Sequence, residues 1–138
     1  MHHTVTLPIR WGDMDSYGHL NNVNYFRLLE EVRIQWLQEI GFPVDRQEAS
    51  NGPVVISVGC EFLKPVVYPA SVEIHTTVEK IGRSSIDIVH ELYIVTDSNA
   101  GEAPLCGRGK VRIVWIDFAT EQSTPLPDEL RSRLQNYC

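Results

Sequence analysis

Cysteine is scarce in this 138-residue sequence, and the three present, Cys60, Cys106 and Cys138, are odd in number and far apart. They form neither a Cys-x-x-Cys metal or redox motif nor an even disulfide framework, which predicts a reducing compartment. Long apolar runs are missing too. No stretch approaches the roughly 18 consecutive apolar residues of a membrane span, and the first residues hold no charged segment followed by an apolar one of the signal-peptide kind. The expectation is a cytoplasmic protein without membrane contact. Basic residues are outnumbered, 12 against 18 acidic, for a net charge of −6, and they are scattered along the chain. A phosphate-backbone binder needs a basic stripe for counterion release, so nucleic acid is not expected as a partner. His19, His75 and His90 stand at no ligand spacing from His2 and His3, which predicts no metal site. Repeats, low-complexity tracts and linkers are lacking.

What remains is a chain with 43% apolar residues, enough for one globular domain spanning 1–138. An extended segment over 5–11 leads into a polar, glycine-punctuated loop over 12–19. A helix is expected over 22–40, because Tyr25, Leu29, Val32, Trp36 and Ile40 recur at three- and four-residue steps and form one apolar stripe. Asn21 or Asn22 suits its N-cap, and Gly41 followed by Pro43 suits its end. From residue 54 the apolar period changes to two. Strands are expected over 54–63, Ser71–Ile81, 84–96 and Leu105–Asp117, with turns at Gly82 and over 97–101 and a short terminal helix over 127–137. Short connections make the last three strands an antiparallel meander.

One long helix and five strands pose a simple packing problem, since the apolar face of the sheet has a single helical stripe to cover it. The expected fold class is α+β, an antiparallel five-stranded sheet wrapped around one long central helix. An outer row such as Val89, Tyr93 and Val95 would leave an exposed edge that a second subunit could cover, so a dimer is expected.

The chemistry concentrates in the run Arg10-Trp11-Gly12-Asp13-Met14-Asp15-Ser16-Tyr17-Gly18-His19-Leu20-Asn21-Asn22-Val23-Asn24-Tyr25. It places a carboxylate in a loop just before a helix N-terminus. The first N–H groups of a helix have no intrahelical acceptor, and the macrodipole adds about half a positive charge there, so that end can hold an oxyanion. Hydrolysis of a thioester develops such a charge on its carbonyl oxygen. An aspartate, ordinarily ionised at neutral pH, can deprotonate a water or attack the carbonyl carbon itself. On residue type alone, an aspartate before a helix is more often a cap or turn residue.

The run, continuing as Phe26-Arg27-Leu28-Leu29-Glu30-Glu31-Val32-Arg33, resembles the signature of the 4-hydroxybenzoyl-CoA thioesterase family, and Phe62-Leu63-Lys64-Pro65 and Ile81-Gly82-Arg83-Ser84-Ser85 fall where that family has strand-end and turn motifs. The resemblance implies a hotdog fold, a homodimer that often assembles into a homotetramer, and an acyl-CoA thioesterase site at the subunit interface. It needs no cofactor, because coenzyme A is part of the substrate. By position it makes Asp15 the catalytic carboxylate and the Asn22 amide the oxyanion donor. Gly18, His19, Asn24 and Tyr25 contact the substrate, with Asn24 and Tyr25 lining the acyl pocket. The Gly-His-x-Asn-Asn form is closer to the aliphatic acyl-CoA branch. Ala70-Ser71 departs from the Gly-Asp that many relatives carry.

Several residues have plainer readings. Asp13 is expected to bond loop amides or Arg10 rather than to pair with Asp15. His19 is either an acid–base group or a hydrogen-bonded positioning residue. Glu30 and Glu31 form a solvated face or pair with Arg27 and Arg33. Coenzyme A phosphates need cations, for which Arg83, with Ser84 and Ser85 in its turn, comes first and Lys64 second. Gly107 and Gly109 either admit pantetheine or mark a bulge or a helix contact. The rival functions are a non-catalytic acyl-CoA or acyl-carrier-protein binding module and a hotdog hydratase. The latter needs a paired His and acid, which the sequence lacks.

Overall fold

The computed structural model describes residues 2–42, 49–97 and 103–138. Strand β1 (His3–Pro8) and a 3-10 turn (Trp11–Asp13) precede helix α1 (Asn22–Glu39). Strands β2 (Asn51–Phe62), β3 (Ser71–Ile81), β4 (Ser85–Val95) and β5 (Leu105–Asp117) follow, and helix α2 (Asp128–Leu134) runs into a second 3-10 turn. All pairings are antiparallel, in the order β1-β3-β4-β5-β2, so the expected meander forms the centre of the sheet. This is the hotdog arrangement, with α2 as a second, shorter helix beside the central one. The extended segment expected over 5–11 stops at Pro8, because the Asp13 carboxylate turns back onto Arg10 and closes the 3-10 turn.

Helix α1 is built as its pattern requires. Asn21 caps it, its side chain accepting the Val23 N–H at 3.0 Å, and Gly41 ends it with φ +90°, a conformation that costs glycine little. Pro43 and most of the turn expected over 97–101 lie outside the described residues. Tyr25, Leu29, Val32 and Trp36 are buried against Val72, Ile74, Ile86, Ile88, Leu92, Val111 and Ile113 of the sheet. Each such side chain contributes about 1.5–3 kcal/mol. Gly109 lets the helix approach. A Cβ on Gly109 would lie 2.7 Å from Leu29 Cδ1, and one on Gly107 would lie 3.6 Å from Tyr25 Cε1. Gly109 therefore serves a helix contact, while the nearest neighbour of a Cβ on Gly107 would be the Glu61 carbonyl of β2 at 3.2 Å.

A polar seam divides the core into two apolar clusters, one around Trp36 and Trp115, the other around Tyr25 and Leu29. His3, Thr76 and His90 stand side by side on β1, β3 and β4. Thr76 Oγ1 and His90 Nδ1 are 2.8 Å apart and both residues are fully buried. Burial, with the nearby charges of Arg33 and His3, pushes the His90 pKa down to about 3. Arg33 is buried as well, with the charge of Glu30 acting on it, while Glu31 bonds Gln35 at 2.9 Å.

Strand β2 breaks the expected alternation. Val54, Val55, Ile56 and Val58 are all exposed, Ile56 to 58% and Val58 to 50%. The register shifts between Val55 and Ser57, and among the described residues β2 gives only the half-buried Cys60 to either cluster. The exposed apolar edge is thus β2. Strand β4, which carries Val89, Tyr93 and Val95, is central in the sheet and its outer row is half-buried.

Candidate active site

The loop from Asp13 to Leu20 is held by its own polar groups. The Asp13 carboxylate accepts the Arg10 N–H at 2.8 Å and Arg10 Nη2 at 3.0 Å. Burial alone would raise its pKa, but the bonds from the Arg10 amide and guanidinium outweigh that and hold it below the ordinary carboxylate range. The structural reading of Asp13 is therefore the right one. Two residues on, Asp15 closes a tight turn. Its N–H donates to the His19 carbonyl at 2.8 Å, and its Oδ1 accepts the N–H groups of Tyr17 at 2.9 Å and His19 at 3.2 Å. Gly18 supplies the turn's left-handed residue, φ +77°. These bonds occupy Oδ1 and fix the carboxylate, and among the described residues none engages Oδ2.

The turn hands the chain directly to α1, so Asp15 and Asn22 share one cavity of about 450 Å³ with His19, Leu20, Tyr25, Phe62, Leu63, Lys64 and Pro65. Asn22 is the first helical residue, and among the described residues its N–H has no acceptor, in keeping with its place at the helix start. The opposite wall comes from the end of β2. Tyr25 packs edge-on against Phe62 at 4.9 Å between centroids, and its hydroxyl donates to the Lys64 carbonyl at 3.5 Å. Burial, with the Cys106 and Cys60 thiols, raises the Tyr25 pKa to about 12, so the phenol keeps its proton and serves as a donor. A second cavity of about 470 Å³ lies on the other side of the loop. It shares Asp15 and is walled by Trp11, Gly12, Met14, Ser16, Gly18, Val67 and Tyr68.

A carboxylate residue and the first residue of a helix lining one cavity is an arrangement suited to adding a nucleophile to a carbonyl. The sequence pattern of the thioesterase-like superfamily matches residues 9–134. The chain belongs to that superfamily. It is similar to the PA2801 protein of Pseudomonas aeruginosa, provisionally described as a thioesterase, with 41% identity, 96% of this chain and 98% of that one covered, and a TM-score of 0.83. It is 24% identical over 130 residues to the long-chain acyl-CoA thioesterase FadM of Escherichia coli, covering 94% of each chain. A variant of 4-hydroxybenzoyl-CoA thioesterase solved with 4-hydroxybenzoyl-CoA has a TM-score of 0.85 at 22% identity, covering 96% of this chain and 98% of that one, which speaks for the fold.

In this thioesterase-like chain, then, the expected residues Asp15, His19, Asn22, Tyr25 and Lys64 come together, while others do not. Gly18 lines the second cavity. Asn24, expected in the acyl pocket, turns away from it and donates its Nδ2–H to the Asp13 carbonyl at 2.8 Å. Arg83, Ser84 and Ser85 lie in the β3–β4 hairpin at the far end of the sheet. From Leu92, level with Gly107, to Ser85, level with Val114, the seven steps along β4 span roughly 23 Å. Their carbonyls hold that hairpin: Arg83 accepts from Leu126 N and Arg131 Nη2, Ser84 from Trp115 N, and Ser85 from Gly82 N. Phe62 and Leu63 were legible only as part of a strand-end motif. Their signal as cavity wall is an exposed apolar pair where a strand runs out beside Lys64 and Pro65. Among the described residues no group of three His, Cys, Asp or Glu side chains is placed to hold a metal, and no helix is long and apolar enough to cross a membrane.

Proposed function

We propose that this chain hydrolyses acyl-CoA thioesters, with Asp15 as general base or nucleophile and the Asn22 amide as oxyanion donor. The observation that carries this reading is that Asp15 and Asn22, the first residue of α1, line one cavity. The thioester oxygen sits at the Asn22 amide. Either Asp15 takes a proton from water as the hydroxyl adds to the carbonyl carbon, or its oxygen adds directly and water later cleaves the acyl-aspartyl anhydride. In both routes the carbon–sulfur bond breaks, the sulfur leaves with the bonding pair, and the thiolate takes up a proton as coenzyme A. The cavity's cationic side chain, Lys64, suits a coenzyme A phosphate at the mouth. Release of free thiol from a panel of aliphatic and aromatic acyl-CoAs is the test. Steady turnover of at least one member is expected, and binding of acyl-CoA without thiol release would turn the reading into that of a binding module.

The working unit in this proposal is a homodimer joined along β2. The strand is exposed and apolar on both faces, a surface that stays soluble when covered. Antiparallel pairing of two β2 edges about a two-fold axis sets the Asn51 end of one copy beside the Phe62 end of the other. The Arg83 hairpin of the second copy then approaches the Asp15 cavity of the first, which reconciles the expected role of Arg83 with its distance inside one chain. The 15.7 kDa chain should sediment at twice that mass. Val58→Lys, which puts a charge on that edge, should sediment as a monomer; a monomeric parent protein would remove the Arg83 assignment.

A further inference from the structure

Asn24, which does not face the cavity, is built into the support behind it. Its Nδ2–H and the Asn21 N–H converge on the Asp13 carbonyl oxygen, at 2.8 and 3.0 Å. Both donors come from the start of α1, and together they use both lone pairs of that oxygen. On its other side Asp13 is clamped by Arg10, so this residue, only 9% exposed, is a hub between loop and helix. Asp15 stands two residues beyond the hub, and Asn22 stands two residues before Asn24. The turn from Asp15 to His19 closes on itself through the Asp15 N–H and the His19 carbonyl and carries solvent-exposed residues, including Gly18. The stiffer route from the carboxylate to the helix-end amide is therefore Asp15, Asp13, Asn24, α1.

We propose that Asn24 is a positioning residue for hydrolysis, fixing the separation of the Asp15 carboxylate and the Asn22 amide through its bond to the Asp13 carbonyl. This inference rests on the thioesterase reading. The separation matters because a nucleophile or base and an oxyanion donor must meet one carbon from two sides. A displacement of about 1 Å in such a pair can cost about 100-fold in rate. Asn24 is the third residue of α1, which makes a discriminating variant available. Asn24→Asp keeps the shape, removes the donor and sets a carboxylate against the Asp13 carbonyl, yet an acid in the first helical turn is favourable to the helix. The fold is retained while the link is broken.

The experiment is a two-by-two cycle with Asp15→Asn, read as kcat, KM and thermal midpoint on any acyl-CoA the parent cleaves. Asn24→Asp and Asn24→Ala should lower kcat by about 10- to 100-fold with KM within about twofold, and Asn24→Asp should hold its thermal midpoint. In the Asp15→Asn background the same changes should cost nothing further, because a residue that acts only by placing Asp15 has nothing left to place. Unchanged kcat in both Asn24 variants would overturn the proposal. So would an effect confined to KM, which belongs to a substrate contact, or losses that multiply in the double variant. Failure of the underlying reading looks different: Asp15→Asn by itself would then turn over normally.

Discussion

Asp15→Asn should lower the turnover of any acyl-CoA this protein cleaves by at least ~100-fold while leaving fold, assembly and KM close to those of the parent. The expectation follows from how the side chain is held. Oδ1 accepts the Tyr17 and His19 N–H groups, and an asparagine Oδ1 can accept the same two bonds, so the turn from Asp15 to His19 persists. What asparagine loses is the charge and basicity of the second oxygen, which in the proposed reaction takes the proton from water or attacks the carbon. The oxyanion donor proposed at Asn22 is untouched and would account for whatever rate remains. Steady-state kinetics on both proteins, with circular dichroism and sedimentation to check fold and assembly, measure this. Near-normal kcat in a folded Asp15→Asn protein would strip Asp15 of its role and return it to the commoner one of a turn residue.

The order of α1 and the central strands was open to sequence reading because each has a period that only one element satisfies. Tyr25, Leu29, Val32 and Trp36 make a stripe only as a helix, and Val111, Ile113 and Trp115 share a face only as a strand. The candidate site was legible where it is local, since Asp15, His19 and Asn22, which line one cavity, lie within eight residues of sequence. Contacts that depend on the third dimension were not. Strand β2 alternates in sequence like a half-buried strand, but α1 covers the other strands, and so its apolar residues stay exposed on both faces. Arg33 sits on the helix face turned to the His3, Thr76 and His90 row, a row that exists only once three strands are in register. Asn24 shows the same limit at closer range. Its position three residues into the helix is compatible with a pocket or with the loop, and the choice is made by the Asp13 carbonyl, eleven residues earlier.

Mild acid should destabilise the fold in a window set by His90. In the folded chain burial and the Arg33 and His3 charges hold its pKa at about 3, against 6.5 for a free imidazole. Between those values the unfolded chain binds a proton that the folded chain refuses, so stability is complete above about pH 6.5 and falls as the pH drops, by at most about 1.4 kcal/mol per pH unit. His3 acts in the same direction, because burial lowers its pKa more than Glu39 raises it. The carboxylates with depressed values, Asp13, Asp87 and Asp117, begin to cost stability only as the pH falls through and below the ordinary aspartate range near 3.8, so the interval from 6.5 to 4.5 belongs to the histidines. Across it His90 accounts for about 2 to 3 kcal/mol, a large share of the roughly 5–15 kcal/mol that holds a domain together. Urea midpoints measured from pH 7.5 to 4.5 should fall steeply in the parent. His90→Gln, which can still bond Thr76 but cannot take a proton, should lose most of that slope even though it starts from a less stable fold. Equal midpoints at both ends of the range in the parent would refute the effect, and the same slope in His90→Gln would place the acid sensitivity outside the buried seam.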